Sequence, residues 1–188
     1  MKTQTALILV IALFVSIAAT AQTKVAGVTV PNTIKAGSNT LVINGAGLRE
    51  KYWFDLYVGA LYVQTKSSNG PELAKADKPM AVRMHIVSSK ITRDKMVEAI
   101  NEGFEKSTGG NTAPIQAKIK QLLDAFTGIE VDDVFDLIYE PGKGVSLYKN
   151  SKLATTVGGL DFKQALFGIW LGPDAVDDNL RQGMLGKG

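Results

Sequence analysis

The sequence predicts an α+β fold, in which helices cover one face of an open, mostly antiparallel β-sheet. Segments with strand-like alternation come first, two segments with helical periodicity follow, and closely spaced strands and two further helices end the chain. This order is typical of helices layered on an antiparallel sheet. The sequence contains no internal repeat and no linker long enough to divide it, so we expect one domain over residues 22–188, after a removable segment over residues 1–21.

The predicted strands are rich in β-branched and aromatic residues, and several alternate apolar with polar positions. They cover residues 24–30, 40–43, 52–63, 80–87, 131–139, 144–148 and 152–157. The tract over 52–63 is the most apolar, and it predicts a central strand that is buried on both faces. The last three segments are joined by short turns, which predicts an antiparallel meander.

Capping residues and glycines bound the predicted helices. Thr92 is an N-cap candidate for a helix over 92–104, and Gly128 supplies a stop after the next helix. Gly172 and Pro173 separate the last two helices. The predicted helices cover residues 70–76, 92–104, 115–126, 160–171 and 174–185.

The composition excludes several common kinds of site. Of the 188 residues, 45% are hydrophobic and 21% are charged, and the net charge of +3 leaves no electrostatic footprint for nucleic-acid binding. The chain has no cysteine and a single histidine, so it cannot form a disulfide, a thiolate nucleophile or the His/Cys ligand sets that zinc favours. We therefore expect no nucleic-acid partner, no metal and no other cofactor.

The N-terminal segment has the pattern of an export signal. Lys2 precedes an uncharged stretch whose apolar run, residues 6–19, has the length of a signal-peptide core. Ala19 and Ala21 are the small residues that signal peptidase requires, which predicts a mature chain from Gln22 and a periplasmic or secreted protein. The alternative is an uncleaved anchor, which the pattern favours less because the run is shorter than the roughly 20 residues that span a bilayer. We expect no stable membrane span after cleavage.

Two features of the sequence are compared with known functional motifs, and neither has the accompanying residues that such a motif requires. Gly45 and Gly47 lack the third glycine, the following helix and the lysine of a phosphate-binding loop, so we expect a bulge, a bend or a close backbone approach there. His85 has no Gly-x-Ser-x-Gly nucleophile motif to accompany it, and we interpret it as a partly exposed strand residue.

Two groups of carboxylates are also interpreted as structural. At a strand start, side chains point to alternate faces and do not converge on a metal, so the first group is expected to be solvated. Carboxylates in a first helical turn favour the positive end of the helix dipole, so the second group is expected to cap the last helix. The first group is Glu130, Asp132, Asp133 and Asp136, and the second is Asp174, Asp177 and Asp178.

Arg49 and Tyr57 are the candidate ligand contacts on physical grounds. Arg49 precedes a tract with almost no charge, where a guanidinium needs an anionic or hydrogen-bonding partner; the alternative is a surface arginine. The Tyr57 hydroxyl lies within that tract and has the same need. On one straight strand the two residues would be roughly 26 Å apart at ~3.3 Å per residue. They share a ligand only if the chain turns between them, so that 41–48 and 54–63 pair as antiparallel neighbours.

Two long segments resemble the motifs of bacterial chalcone isomerase-like proteins. In LVINGAGLREKYWFDLYVGALYV, residues 41–63, an Asn-Gly-x-Gly-x-Arg segment precedes an aromatic strand that ends in Leu-Tyr. FGIWLGPDAVDDNLRQGML, residues 167–185, is similar to the closing motif of that family. The resemblance covers nearly all of residues 25–185, and it implies an open, mostly antiparallel sheet with a ligand cleft beneath a helical layer.

The resemblance implies two functional branches. Plant chalcone isomerases close a chalcone to a flavanone by intramolecular Michael addition, and related plastid proteins bind fatty acids. Arg49 matches an arginine common to both branches, and Tyr57 falls where the fatty-acid-binding branch has a tyrosine. Asn101 is similar in position to an active-site asparagine of the isomerases, but Asp94 stands where the isomerases carry their active-site tyrosine, which disfavours isomerase activity.

The favoured hypothesis is an exported, non-catalytic protein that binds a small lipophilic carboxylate such as a fatty acid. Arg49 would pair with the carboxylate, Tyr57 would donate a hydrogen bond, and Asn101 is a third candidate contact. The aliphatic tail would lie against Trp53 and Leu61. The first alternative is an intramolecular lyase or isomerase of phenolic or enone substrates that uses Arg49 and Asn101. The second is an envelope interaction protein without a small ligand.

Overall fold

The computed structural model describes residues 22–188, so the predicted signal segment lies outside the described residues. Within that range the chain forms a curled seven-stranded antiparallel sheet, a two-stranded hairpin and a layer of helices. The α+β class and the antiparallel sheet are confirmed. None of the helices in residues 22–188 is long and apolar enough to cross a membrane.

The strands and helices follow one another in an order close to the predicted one. The strands of residues 22–188 are β1 (Thr23–Val25), β2 (Val28–Val30), β3 (Thr33–Ala36), β4 (Asn39–Lys51), β5 (Phe54–Val63), β6 (Met80–Ile86), β7 (Val134–Glu140), β8 (Gly144–Lys149) and β9 (Lys152–Val157). The helices of that range are α1 (Gly70–Lys75), α2 (Arg93–Ser107), α3 (Gln116–Asp124), α4 (Leu160–Leu171) and α5 (Asp178–Met184), with a 3₁₀ turn over Ala113–Ile115 before α3.

The main sheet has the order β3-β4-β5-β6-β7-β8-β9, so each strand pairs with its neighbour in sequence. The predicted meander over β7, β8 and β9 is confirmed, because short turns join the three strands. The sheet curls until β3 approaches β7, and Gly37 after β3 lies against the Glu140 carboxylate. The sheet therefore has a concave side and a side that the helices cover.

The central strand β5 is buried on both faces over its second half, as predicted. Tyr57 and Leu61 face the helices and belong to the main hydrophobic core. Val58 and Tyr62 point to the other side, into a smaller core inside the curl of the sheet. Successive side chains of β5 thus pack alternately into two hydrophobic cores, which explains why the tract has so few polar residues.

The N-terminal strands differ from the prediction at several places: β3 was not predicted, and β5 begins at Phe54 and not at residue 52. The predicted strand over 24–30 is a hairpin, β1 and β2, whose turn places Ala26 and Gly27 at φ of 46° and 83°. The predicted strand over 40–43 continues through the glycines to Lys51. Glycine is unfavourable in strands, and for this reason the strand predicted from the sequence ends too early.

Several polar residues are placed differently from the prediction. Asp136, expected to be solvated, is buried and accepts two hydrogen bonds from Arg83, at 2.7 and 2.8 Å, inside the concave side of the sheet. Asp133 is buried too. Of the second carboxylate group, Asp177 is the N-cap of α5, whereas Asp174 precedes the helix and does not cap it.

Candidate ligand-binding site

Arg49 and Tyr57 are directly opposite each other on β4 and β5. The chain reverses at Tyr52 and Trp53, and the two strands pair as antiparallel neighbours. Directly opposed residues point to the same face of a sheet and have Cβ atoms about 5 Å apart. The prediction that the chain turns between these residues is therefore confirmed, although their role toward a ligand stays a prediction.

A bulge in β5 adds a third side chain to this face. Arg49 pairs with Tyr57 and Glu50 pairs with Asp55, which leaves Leu56 as the extra residue on β5. A bulge of this kind interrupts strict alternation, and here Leu56 and Tyr57 both border the cavity on the helix side. The bulge thus places an apolar and a polar group side by side.

The paired glycines of β4 form a seat for α5. A Cβ on Gly45 would lie 2.2 Å from the Gly183 carbonyl oxygen, and a Cβ on Gly47 would lie 3.1 Å from the Leu180 carbonyl oxygen. Gly59, opposite Gly47 on β5, would meet the Leu180 side chain at 2.9 Å. The expectation of a close backbone approach at the two β4 glycines is confirmed, because α5 lies directly on the strand.

Asn44 holds the end of α5 against the sheet. Its side-chain amide donates to the carbonyl oxygens of Met184 and Ser67, at 2.8 and 3.0 Å, and its side-chain oxygen accepts from the Ser67 amide at 2.8 Å. Asn44 is buried, so the loss of these partners would leave polar groups unsatisfied. The Asn-Gly-x-Gly motif therefore positions the last helix.

Asp177 brings the N-terminus of α5 to Arg49. Its Oδ1 accepts from the Leu180 amide at 2.8 Å, which caps the helix, and its Oδ2 accepts from Arg49 Nη1 at 2.9 Å. Each of the two side chains is 14% exposed, so the ion pair is largely shielded from water. Sequence reasoning identified Asp177 as a capping residue, but nothing local indicated that it would pair with an arginine on β4.

Trp170 on α4 orients the Tyr57 hydroxyl. The indole Nε1 donates to the Tyr57 oxygen at 3.0 Å. Burial raises the pKa of Tyr57 to about 12, against the smaller lowering effects of Trp170 and the Arg49 charge. The phenol is therefore protonated near neutral pH. Within residues 22–188 its own proton has no protein acceptor, so it is available to a ligand.

These residues border a cavity of about 320 Å³ between the sheet and helices α2 and α4. That volume lies at the lower end of the range for small-molecule sites. Apolar side chains make up most of the wall, in which Arg49 and Tyr57 lie side by side. The other charged residues of the wall are Lys51, Lys90, Lys95, Glu98 and Glu102. The apolar wall includes Leu56, Met84, Met96, Ile100, Ile169 and Trp170.

Three other residues of the sequence hypothesis do not border this cavity. Asn101 is exposed on α2, because it is rotated by about 100° from Ile100, which does face the cavity. Trp53 is 97% exposed in the turn between β4 and β5. Leu61 is fully buried further along β5, away from the cavity wall. We therefore assign no ligand contact to these three residues.

Two groups of cavity residues have different signals in the sequence. Met96 and Ile100 belong to the apolar stripe by which α2 was predicted, so periodicity identified them without showing that they line a cavity. Trp170 had no local signal, since its role depends on Tyr57, 113 residues earlier.

No group of three or more potential metal-ligating side chains occurs in the described part of the chain.

Fold and site together define an α+β protein with an apolar pocket between an antiparallel sheet and its helices. The chain belongs to the chalcone isomerase-like family, whose model matches residues 22–186. Among solved structures, it is similar to a fatty-acid binding protein of Arabidopsis thaliana, with a TM-score of 0.67, 19% sequence identity and coverage of 85% of this chain and 92% of that one. This likeness confirms the fold. Comparison with curated proteins finds no match.

Proposed function

We propose that this protein binds a lipophilic carboxylate, such as a fatty acid, in the pocket between the sheet and α2 and α4. The observation that carries the proposal is a mainly apolar cavity with a guanidinium and a protonated phenol side by side in its wall. Such an arrangement matches a molecule with a long apolar body and one anionic head. The name of the Arabidopsis neighbour agrees with this class of ligand.

The Arg49 guanidinium has donors to offer to a ligand carboxylate. Its hydrogen bonds within residues 22–188 use Nη1, which donates to Asp177 and to the Glu50 carbonyl oxygen. Nε and Nη2 have no protein partner in that range. Because an arginine presents five N–H donors in a planar fork, Arg49 can keep its bond to Asp177 and still donate to a ligand.

Tyr57 supplies the second polar contact. Trp170 donates to its oxygen, so the hydroxyl is an acceptor toward the protein and a donor toward the pocket. A hydrogen bond to an ionised carboxylate is stronger than one between neutral groups. The aliphatic tail then extends along Met96 and Ile100 of α2 and Leu56 of β5, where its burial is favourable.

The same geometry disfavours the isomerase alternative. Ring closure needs a positioned base and an electrophilic group near the ketone. The Tyr57 phenol stays protonated near neutral pH, and Asp94 and Asn101 of α2 are exposed outside the pocket. Arg49 remains as an electrophile, but its charge is already shared with Asp177. We therefore propose binding without catalysis.

The binding test uses purified, delipidated protein with decanoate and palmitate. Isothermal titration should show saturable binding of one fatty acid per chain. In a parallel absorbance assay, the protein should not accelerate the conversion of a chalcone to a flavanone. Flavanone formation that Arg49→Ala abolishes would support the isomerase alternative instead. Absence of binding to either fatty acid would support an interaction protein without a small ligand.

We also propose that the protein is exported and acts in the periplasm or outside the cell. The apolar run over 6–19 and the small residues Ala19 and Ala21 support this proposal. Intact mass of protein recovered from the cell envelope or medium should correspond to a chain that begins at Gln22. Retention of residues 1–21 in that material would contradict cleavage and favour an anchored protein.

A further inference from the structure

Three consecutive aromatic residues stand out at the turn between β4 and β5. Tyr52, Trp53 and Phe54 are 74%, 97% and 48% exposed. Single exposed apolar residues are ordinary on protein surfaces, whereas a contiguous apolar patch marks a contact site. Together with Lys51 these residues form the aromatic turn, residues 51–54.

Local turn chemistry does not account for the aromatic residues. Lys51 pairs with Phe54, so the turn has two central residues, and Tyr52 and Trp53 have φ of 52° and 63°. Two-residue turns with positive φ at both positions favour Asn-Gly, and a bulky side chain there is strained. The aromatic turn therefore retains side chains that destabilise its own conformation, which indicates a use for them outside the fold.

Lysines lie on the same side of the hairpin as the aromatic rings. Lys51 Nζ is 5.5 Å from the centre of the Tyr52 ring, and Lys90 Nζ is 5.5 Å from the centre of the Phe54 ring. Glu50 and Asp55 are the next cross-strand pair, and alternation turns them to the opposite face. The side with the rings is therefore the more basic side of the hairpin.

The aromatic turn also borders the mouth of the ligand pocket. Lys51, Tyr52 and Phe54 line the cavity, as does Lys95 on α2. The carboxylates of Glu98 and Glu102 lie further along α2, about one and two turns beyond Lys95. An anionic surface that contacts the aromatic turn would therefore meet Lys51 and Lys95, and not the carboxylates of Glu98 and Glu102.

We propose that the aromatic turn docks this protein on the surface of a lipid bilayer that contains anionic lipids. Tryptophan and tyrosine favour the boundary between headgroups and acyl chains, and lysines next to that boundary are attracted to anionic headgroups. The docked turn holds the pocket mouth against the bilayer, so a fatty acid passes between the two without crossing water. This last step rests on the proposed function, whereas docking itself does not.

The test measures co-flotation of full-length mature protein with phosphatidylcholine vesicles that contain increasing fractions of phosphatidylglycerol. Trp53→Gly removes the most exposed ring, and glycine suits the positive φ at this position, so the variant should fold. Leu153→Ser is the matched control, because Leu153 is an exposed apolar residue on β9, distant in sequence from the turn. We expect Trp53→Gly to reduce vesicle partitioning at least tenfold and Leu153→Ser to leave it unchanged.

Two further readouts distinguish insertion of the aromatic turn from self-association of the protein. Vesicles with brominated acyl chains should quench the emission of Trp53 in the wild type, and should not quench Trp53→Phe, whose remaining tryptophan, Trp170, is buried. Added phosphatidylglycerol should raise partitioning about fivefold for each lysine that contacts the bilayer. Equal partitioning of wild type and Trp53→Gly would overturn the proposal. A wild-type dimer that Trp53→Gly dissociates would overturn it as well, since a second copy would then cover the turn.

Failure of docking and failure of ligand binding are separable. Titration of decanoate without vesicles measures the pocket alone, and Trp53→Gly should bind it with wild-type affinity because Trp53 does not line the cavity. Vesicle binding without decanoate binding would refute the proposed function and retain the docking surface. Decanoate binding without vesicle binding would refute docking and retain the function.

Discussion

Asp177 joins the cap of the last helix to Arg49, 128 residues earlier in the chain, through a 2.9 Å ion pair at the wall of the pocket. One carboxylate oxygen serves the helix and the other serves the guanidinium. The packing of α5 on the β4 glycines therefore places a carboxylate beside the Arg49 guanidinium.

Asp177→Asn should increase the affinity for decanoate. Asparagine caps helices about as well as aspartate, so α5 should stay in place while the negative charge beside Arg49 disappears. We expect a gain of about 0.5 to 1 kcal/mol in binding free energy, measured by isothermal titration. Asp177→Ala should also lose the cap and about 1 kcal/mol of stability in urea unfolding. Equal decanoate affinity in Asp177→Asn and wild type would show that Asp177 does not compete with the ligand.

Arg49→Ala should weaken decanoate binding by about 1.5 to 3 kcal/mol, the range for a hydrogen bond to a charged group. Arg49→Lys should recover part of this loss, because the bidentate geometry of the guanidinium is absent in lysine. Tyr57→Phe should cost about 0.5 to 1.5 kcal/mol. Titration of the three variants gives the order, and identical affinities in all of them and the wild type would place the site elsewhere.

Gly45→Ala should destabilise the protein more than Gly47→Ala. The new Cβ at Gly45 would lie 2.2 Å from the Gly183 oxygen, against 3.1 Å from the Leu180 oxygen for Gly47. Overpacking of this kind costs about 1 to 3 kcal/mol. Gly158→Ala is the control, since a Cβ there meets nothing within 4 Å. Urea unfolding measures the stability of all three variants. Equal losses of stability in Gly45→Ala and Gly158→Ala would contradict the close packing of α5 on the β4 glycines.

Stability should fall between about pH 10 and pH 12. Burial is the main cause that raises the pKa of Tyr57, Tyr62 and Tyr139 from 10.0 to about 12. A raised phenol pKa contributes stability that is complete below the unfolded value and is lost as pH rises through the folded value. Urea unfolding across this range should show a smaller decline in Tyr57→Phe than in the wild type. An unchanged decline would mean that Tyr57 titrates as in the unfolded chain.

The elements with strong local signals were predicted well. The last long helix, α4, has the predicted bounds, and Thr92 is the N-cap of α2. The β4–β5 pairing was predicted from the hypothesis that Arg49 and Tyr57 share a ligand, and the structure confirms the pairing. The sequence did not show that Asn101 lies outside the cavity wall, because a correspondence carried over from other proteins does not specify which side of a helix faces the pocket. Asp136 was misplaced because its partner, Arg83, lies on a neighbouring strand and not nearby in sequence.

The sequence alone established the α+β class, most of the strands and helices and the family resemblance, and it singled out Arg49 and Tyr57 as candidate ligand contacts. Periodicity, caps and turns are local properties, so residues close together in the chain carry their signals. The tertiary structure decided which groups surround those two residues: Asp177 on α5, Trp170 on α4 and the apolar stripe of α2. The ion pair of Arg49 with Asp177 and the hydrogen bond of Tyr57 with Trp170 join residues 128 and 113 positions apart, and only the packing of α5 on the glycines of β4 and of α4 on β5 brings them together.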